Sequence, residues 1–229
     1  MNVKLYRMNI SKLANQSIYD ECLNKVSDER RAKVDRMHAK GDKCRSLAAG
    51  VLLNEACDMA CFDAKDRELA YEKHGKPYFV NRSDYHFSLS HSGDWVILAF
   101  INSSSEIGAD IEKYSEYHKI EKIVPRILSL SELEEFNKTP TEMQDNRIGL
   151  FYSFWTIKES YVKALGLGLS LDFRLIESFS YCKNGKDVIK VVSDETPECF
   201  YIKKVIVDDG YDCSICSKYE DITIEDIVL

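Results

Sequence analysis

An α+β fold of two similar lobes is predicted for this 229-residue chain by three features. Helical patterns followed by strand patterns occur in the first half and again in the second. The length suits two units of roughly 110 residues each. No low-complexity tract, residue-level repeat or Pro/Gly-rich linker interrupts the series. The lobes are expected over 1–113 and 114–229, with an active site between them, where pockets commonly form.

The first lobe opens with a short strand at Val3–Met8, a charged helix near Glu21–Arg36 and a longer helix near Asp42–Cys61. Strands are expected at His86–Ser90, Trp95–Ile101 and Ile107–Glu112, where apolar residues alternate or run on. The second lobe begins with helical stretches near Tyr117–Ile127 and Ser131–Asn137, the latter opened by a capping-box pattern, Ser131-Glu-Leu-Glu134. A strong helix follows from about Arg147 to Leu165 and stops at Gly166. Strands are expected at Arg174–Tyr181, Val188–Val192, Tyr201–Val207 and Tyr211–Ser217.

Composition narrows the function. With 45% hydrophobic and 30% charged residues the chain can bury a core behind a polar surface. A formal net charge of −7 argues against a nucleic-acid-binding face and leaves any anionic ligand to a few placed cations. No apolar run approaches the roughly 18 residues of a membrane span. The N-terminal sequence lacks the apolar stretch of a signal peptide, so a cytoplasmic location is expected. The eight scattered cysteines then read as reduced thiols, and Cys213-Ser-Ile-Cys216 has no second pair to complete a zinc site.

Three segments carry chemistry. In Ile107-Gly-Ala-Asp-Ile-Glu112, strand alternation points Ile107, Ala109 and Ile111 inward and projects Asp110 and Glu112 together from the other face. Adjacent like charges repel, and a hard cation such as Mg²⁺ removes that conflict. The alternative is a solvated strand end. In Trp155-Thr-Ile-Lys158-Glu159-Ser-Tyr-Val-Lys163, helical spacing puts Trp155, Glu159 and Lys163 on one face, beside an inward stripe of Leu150, Phe154, Ile157, Tyr161 and Leu165. Read alone, Glu159 and Lys163 form an ordinary surface salt bridge. Read with the first segment, Glu159 is a third carboxylate and Lys163 reaches a bound phosphate. In Phe87-Ser-Leu-Ser90-His91-Ser92-Gly93, a strand ends in a polar turn that offers Ser90, His91 and backbone N–H groups to an anion. A nucleophilic serine is the rival, but the strained Gly-x-Ser-x-Gly elbow is missing. Arg30, Arg31, Lys33, Arg45 and Lys76 are surface charges unless a polyanion binds nearby.

These segments, in this order, resemble those of the 4′-phosphopantetheinyl transferase superfamily. The His74-Gly-Lys-Pro stretch and the Gly166-Leu-Gly-Leu-Ser170 tail are similar to its monomeric, surfactin-synthetase-activating (Sfp) type. The resemblance covers roughly Glu29 to Tyr219. It implies the pseudo-twofold fold of that family and transfer of phosphopantetheine from coenzyme A to a serine of an apo acyl or peptidyl carrier protein.

By the same resemblance Asp110, Glu112 and Glu159 would be ligands of Mg²⁺, with Mn²⁺ as an alternative. Glu159, Lys163 and His91 would be catalytic. Coenzyme A would be held by Arg30, Lys33, Arg45, Lys76, Ser90, His91 and Lys163. Arg30 stands where relatives carry lysine, and Ala109 replaces a larger aliphatic residue. The implied protein is a monomer without nucleic-acid or membrane partners. Its carrier would dock after the Asp-Ile-Glu motif, where Ile120, Ile123, Val124, Ile127 and Leu128 alternate with Lys119, Lys122 and Arg126. Two rivals keep the same residues: a carrier-independent phosphate-ester hydrolase, and a relative that only binds.

Overall fold

Alternation along the central strands sorts the molecule into layers. The structure is a computed structural model that describes residues 1–183, 185–194 and 196–229. In β1 (Asn2–Asn9) and β5 (Trp95–Asn102), Tyr6, Met8, Val96, Leu98 and Phe100 face one way, while Val3, Leu5, Trp95, Ile97, Ala99 and Ile101 face the other. The first set packs beneath α1 (Gln16–Lys25), α2 (Asp28–Arg36) and α3 (Lys40–Met59). The second set meets Ile107, Ala109, Ile111, Cys213 and Ile215 of a second sheet. Helices, sheet, sheet and helix therefore follow one another, as the α+β reading requires.

The first sheet runs β11 (Thr223–Val228), β1, β5 and β4 (Tyr85–Ser92), with β1 and β11 parallel and the others antiparallel. The second runs β6 (Ile107–Lys113), β10 (Tyr211–Ser217), β9 (Thr196–Lys204), β8 (Lys186–Ser193) and β7 (Ile176–Lys183), antiparallel throughout. Sheet membership crosses the 113/114 boundary in both directions, since β6 belongs to the second sheet and β11 to the first. A small hairpin of β2 (Leu69–Tyr71) and β3 (Pro77–Phe79) stands apart.

Where the two sheets abut, β4 and β6 present free edges to one another. Main-chain pairing does not join them; serine side chains do. The amides of Ala109, Ile111 and Lys113 donate to Ser88 Oγ (2.9 Å), Ser90 Oγ (3.4 Å) and Ser92 Oγ (3.1 Å). From Ser88 onward every second residue of β4 is thus a hydroxyl that satisfies a strand edge which would otherwise hold unpaired donors.

The long helix α7 (Gln144–Leu165) lies across the outer face of β6 and β10. Gly108 sets how closely: a Cβ there would overlap the Ser160 carbonyl oxygen and come within 2.5 Å of Ala164 N. Gly166 ends α7 in the left-handed region at φ +70°, where glycine carries no steric penalty. Ile157, Tyr161, Val162 and Ala164 pack onto Val191, Phe200, Ile202 and Cys216. Cys213 and Cys216 lie on opposite faces of β10, in different cores, and all eight cysteines are free.

Several expected elements shift. The single helix over Glu21–Arg36 is two helices, because Val26 is extended and Ser27 caps α2 by accepting from Arg30 N. The stretch over Tyr117–Ile127 divides into α4 (Tyr117–Glu121) and α5 (Val124–Ile127). The capping box of α6 (Leu130–Lys138) is Ser129 with Glu132, not Ser131 with Glu134. The expected carrier groove is also corrected. Ile120, Val124 and Leu128 are buried against Phe136, Phe151 and Phe154, which leaves Lys119, Lys122 and Arg126 exposed without an open apolar floor. Among the described residues no helix is long and apolar enough to cross a membrane.

Glu132 does more than cap. Its carboxylate pairs with Lys158 at 2.6 Å, and Ser178 Oγ donates to it at 3.0 Å. Lys158, fully buried, also donates to the carbonyls of Phe173 and Ile176, both at 2.7 Å. All three ammonium protons are thereby used, and α6, α7 and the start of β7 are tied at one point. Removing one partner strands a buried charge, so Lys158→Met should cost about 3 kcal/mol. Urea unfolding should show that loss, and the double variant Lys158→Met/Glu132→Leu should recover part of it.

Candidate active site

The contact at Gly108 brings the last turns of α7 against the start of β6. Asp110 and Glu112, on the face of β6 opposite Ile111, meet Glu159 and Lys163 one helical turn apart on α7. Above them stand α2 and α3. The result is a cleft of about 490 Å³ between the helical layer and α7, lined by Arg30, Lys33, Arg45, Ser90, His91, Asp110, Glu112, Glu159 and Lys163, with Met37, Asp42 and Ser46 among the others.

Asp110 is buried at its centre, 2% exposed. Its Oδ1 accepts from Lys163 Nζ (2.5 Å) and Ser90 Oγ (2.8 Å). Its Oδ2 is buried and has no hydrogen-bond partner. The isolated-helix expectation of a Glu159–Lys163 bridge is not met, because Lys163 turns to Asp110 and also donates to Ser90 Oγ at 2.8 Å. Glu112 accepts from Ser92 Oγ at 2.8 Å.

Burial raises the pKa of Asp110 against the pull of Lys163 and Ser90. Burial and the Asp110 charge raise Glu112. Glu159 is pushed up to about 7 by burial, with Asp110 and Glu112 adding and Lys163 opposing. Three carboxylates share one internal cation, so the floor of the cleft lacks positive charge.

Among the described residues, no three His, Cys, Asp or Glu side chains are grouped so as to hold a metal ion as they stand. The donor set nonetheless suits a hard divalent cation: three carboxylates, an orphaned Asp110 Oδ2 and mutual repulsion for a cation to relieve.

The helical wall is basic. Arg45 is fixed by Asp42 (2.6 Å) and by the Gly93 carbonyl (3.0 Å), tying α3 to the β4–β5 turn. Arg30 and Lys33 face the same opening from α2. His91 is held below the usual histidine range by desolvation, with Arg45 and Lys163 adding and a backbone hydrogen bond opposing.

Lys76 does not line this cleft. It pairs with Glu106 and donates to the Ala164 carbonyl (2.9 Å), beside a smaller cavity of about 220 Å³ that shares Leu89 and Lys163 with the first. Burial opposes ionisation of Glu106, but hydrogen bonds from His86 and Lys76 outweigh it and bring its carboxyl down to about 2. Arg31 is not in the cleft either and donates to the Leu23 carbonyl. Sequence reasoning passed over Ser92, whose partner is Glu112. The serine at every second place in Phe87-Ser-Leu-Ser-His-Ser92 was its signal.

An acidic floor under a wall of cations is an arrangement suited to a polyanion that arrives with a cation. Comparison with known proteins makes the class specific. Residues 106–216 match the family described as the 4′-phosphopantetheinyl transferase superfamily, and residues 14–103 match 4′-phosphopantetheinyl transferase, N-terminal. The chain is 31% identical over 228 residues to 4′-phosphopantetheinyl transferase Sfp of Bacillus subtilis strain 168, covering 99% of this chain and 97% of that one. It is 32% identical to 4′-phosphopantetheinyl transferase ffp of Bacillus subtilis, with the same coverage. It is 30% identical to 4′-phosphopantetheinyl transferase gsp of Aneurinibacillus migulanus, covering 91% and 83%. The chain belongs to the 4′-phosphopantetheinyl transferase superfamily, within its Sfp type.

The raised pKa of Glu159 has a consequence for stability. Its folded value, about 7, exceeds the ordinary 4.5, so between these values the folded state binds more protons than the unfolded one. Stability should then fall as pH rises from about 4.5 to 7 in metal-free buffer. Glu159→Gln should flatten that decline and melt higher than the parent at pH 8, as differential scanning fluorimetry would show.

Proposed function

We propose that this chain transfers the 4′-phosphopantetheine group of coenzyme A to a serine of an apo acyl or peptidyl carrier protein and releases 3′,5′-ADP. The observation that carries this reading is the convergence of Asp110, Glu112, Glu159 and Lys163 with Arg30, Lys33, Arg45 and His91 around one cleft. A binding-only protein would not need three carboxylates gathered so closely that Asp110 raises the pKa of both Glu112 and Glu159. The two lobes, 1–113 and 114–229, face each other across this cleft while exchanging β6 and β11.

In the reaction the carrier serine Oγ bonds to the β-phosphorus of coenzyme A, and the bond from that phosphorus to the oxygen of 3′,5′-ADP breaks. The hydroxyl proton passes to Glu159 as the general base. Lys163 offsets charge on the phosphate under attack, the main demand of phosphoryl-type transfer. Ser90 keeps Lys163 and Asp110 in register. His91 donates a hydrogen bond to a phosphate oxygen. Arg30, Lys33 and Arg45 bind the remaining phosphates, and Lys76 contributes from the adjoining cavity. Mg²⁺ or Mn²⁺ held by Asp110, Glu112 and Glu159 would supply further positive charge to the pyrophosphate.

The acceptor is a carrier of fatty acid, polyketide or nonribosomal peptide synthesis. Exposed Lys119, Lys122 and Arg126 suit the acidic helix such carriers present. The enzyme acts as a monomer in the cytoplasm, a setting with which its free cysteines agree.

Incubating an apo carrier protein with this protein, coenzyme A and Mg²⁺ should add about 340 Da by intact mass spectrometry, the mass of phosphopantetheine joined to serine. Lys163→Met should slow the gain by about 10²-fold or more. Folded protein that modifies neither acyl nor peptidyl carriers would overturn the assignment.

A further inference from the structure

Counting protons on the hydroxyls between β4 and β6 says more than their distances. A serine hydroxyl has one proton to donate and two lone pairs with which to accept. The amide of Lys113 donates to Ser92 Oγ at 3.1 Å, and an amide has no alternative to donating. The Glu112 carboxylate can only accept, so the serine's own proton closes the 2.8 Å contact between Ser92 Oγ and Glu112 Oε2. The backbone bond fixes the hydroxyl and the hydroxyl fixes the carboxylate, so Glu112 is oriented by the main chain of its own strand through one side chain of β4.

Ser90 repeats the arrangement one step along. It accepts from Ile111 N and Lys163 Nζ, and its proton goes to Asp110 Oδ1. Ser88 accepts from Ala109 N, and the side-chain position it faces, Gly108, has nothing to orient. The two carboxylates of β6 thus each have their own serine, while the glycine needs none.

We propose that Ser92 is a positioning residue for the metal-binding function of Glu112: its hydroxyl holds Oε2 and so sets the orientation in which that carboxylate meets a divalent cation. This rests on the reading of Asp110, Glu112 and Glu159 as cation ligands. Groups of this kind orient metal-binding carboxylates elsewhere, and their loss commonly costs about 10- to 100-fold in metal affinity. Ser92 itself need not touch coenzyme A or the carrier.

The test is Mn²⁺ binding to the full chain without coenzyme A or carrier, followed by the electron paramagnetic resonance signal of free Mn²⁺ well below the unfolding midpoint. Ser92→Ala should bind Mn²⁺ about tenfold or more weakly than the parent. Ser92→Thr, which keeps the hydroxyl, should restore most of that affinity. A merely structural role for Ser92 would lower the melting temperature and leave Mn²⁺ affinity unchanged. Parent-like Mn²⁺ binding by Ser92→Ala, or equal weakening in the alanine and threonine variants, would overturn the proposal. Glu112→Gln separates the two levels. If it binds weakly while Ser92→Ala binds normally, only the role of Ser92 fails. If it too binds like the parent, or the parent does not bind, the ligand assignment fails and the proposal with it.

Discussion

The absence of a side chain at residue 108 governs this molecule. β6 and α7 touch backbone to backbone there, with no room for a methyl group between Gly108 and the carbonyl of Ser160. A helix normally packs on a sheet about 10 Å away, with side chains filling the gap. Here the gap is closed, so Asp110, two residues along β6, lies within reach of Lys163 on α7. Glycine costs a strand some stability, and at this position the cost is offset by a geometry no other residue permits. Ala109, which strand alternation points inward, lies among the buried residues between the sheets.

The electrostatic design is local. A chain with net charge −7 faces its cleft with Arg30, Lys33, Arg45 and Lys163, and gathers three acidic groups on the floor. Acidic and basic groups are kept largely apart, with the Asp110–Lys163 pair joining them. A ligand that carries phosphates and arrives with a divalent cation complements both parts. Lys158 and Lys204 are different. Both are sequestered, the first with Glu132 and the second with Asp212, Ser214 and Thr156, and they stitch α7 to its surroundings away from the cleft.

Most of the layering and the acidic trio was legible in sequence because strand and helix periods are rigid. In β6 the two-residue repeat fixed the facing of Asp110 and Glu112, and in α7 the four-residue spacing put Glu159 over Lys163. Partners across the fold were less legible. Nothing in the spacing of Lys76 shows that Glu106, thirty residues away, captures it. The apolar residues from Ile120 to Leu128 fit an open groove or a buried helix face equally well in sequence. Phe136, Phe151 and Phe154, which settle the matter, are contributed by α6 and α7. Strand β11 carries a weak signal, because Thr-Ile-Glu-Asp-Ile-Val sets two charges side by side and breaks the two-residue alternation. The capping box moved by two residues because both Ser129 and Ser131 precede an acidic residue by three, and only tertiary pairing of Glu132 with Lys158 selects between them.

The parallel pairing of β1 with β11 bears on how the chain is made. Leu5 lies opposite Asp226, and Arg7 grips that aspartate through two nitrogens, Nε at 2.8 Å and Nη2 at 2.6 Å. Strand β1 thus waits for one synthesised more than two hundred residues later. Until then β1 has β5 on one side and an open edge on the other. Such long-range closure slows folding and leaves a nascent chain exposed to strand addition by its neighbours. A ribosome stalled short of residue 223 would release a protein whose cleft residues have all been made but whose first sheet cannot close.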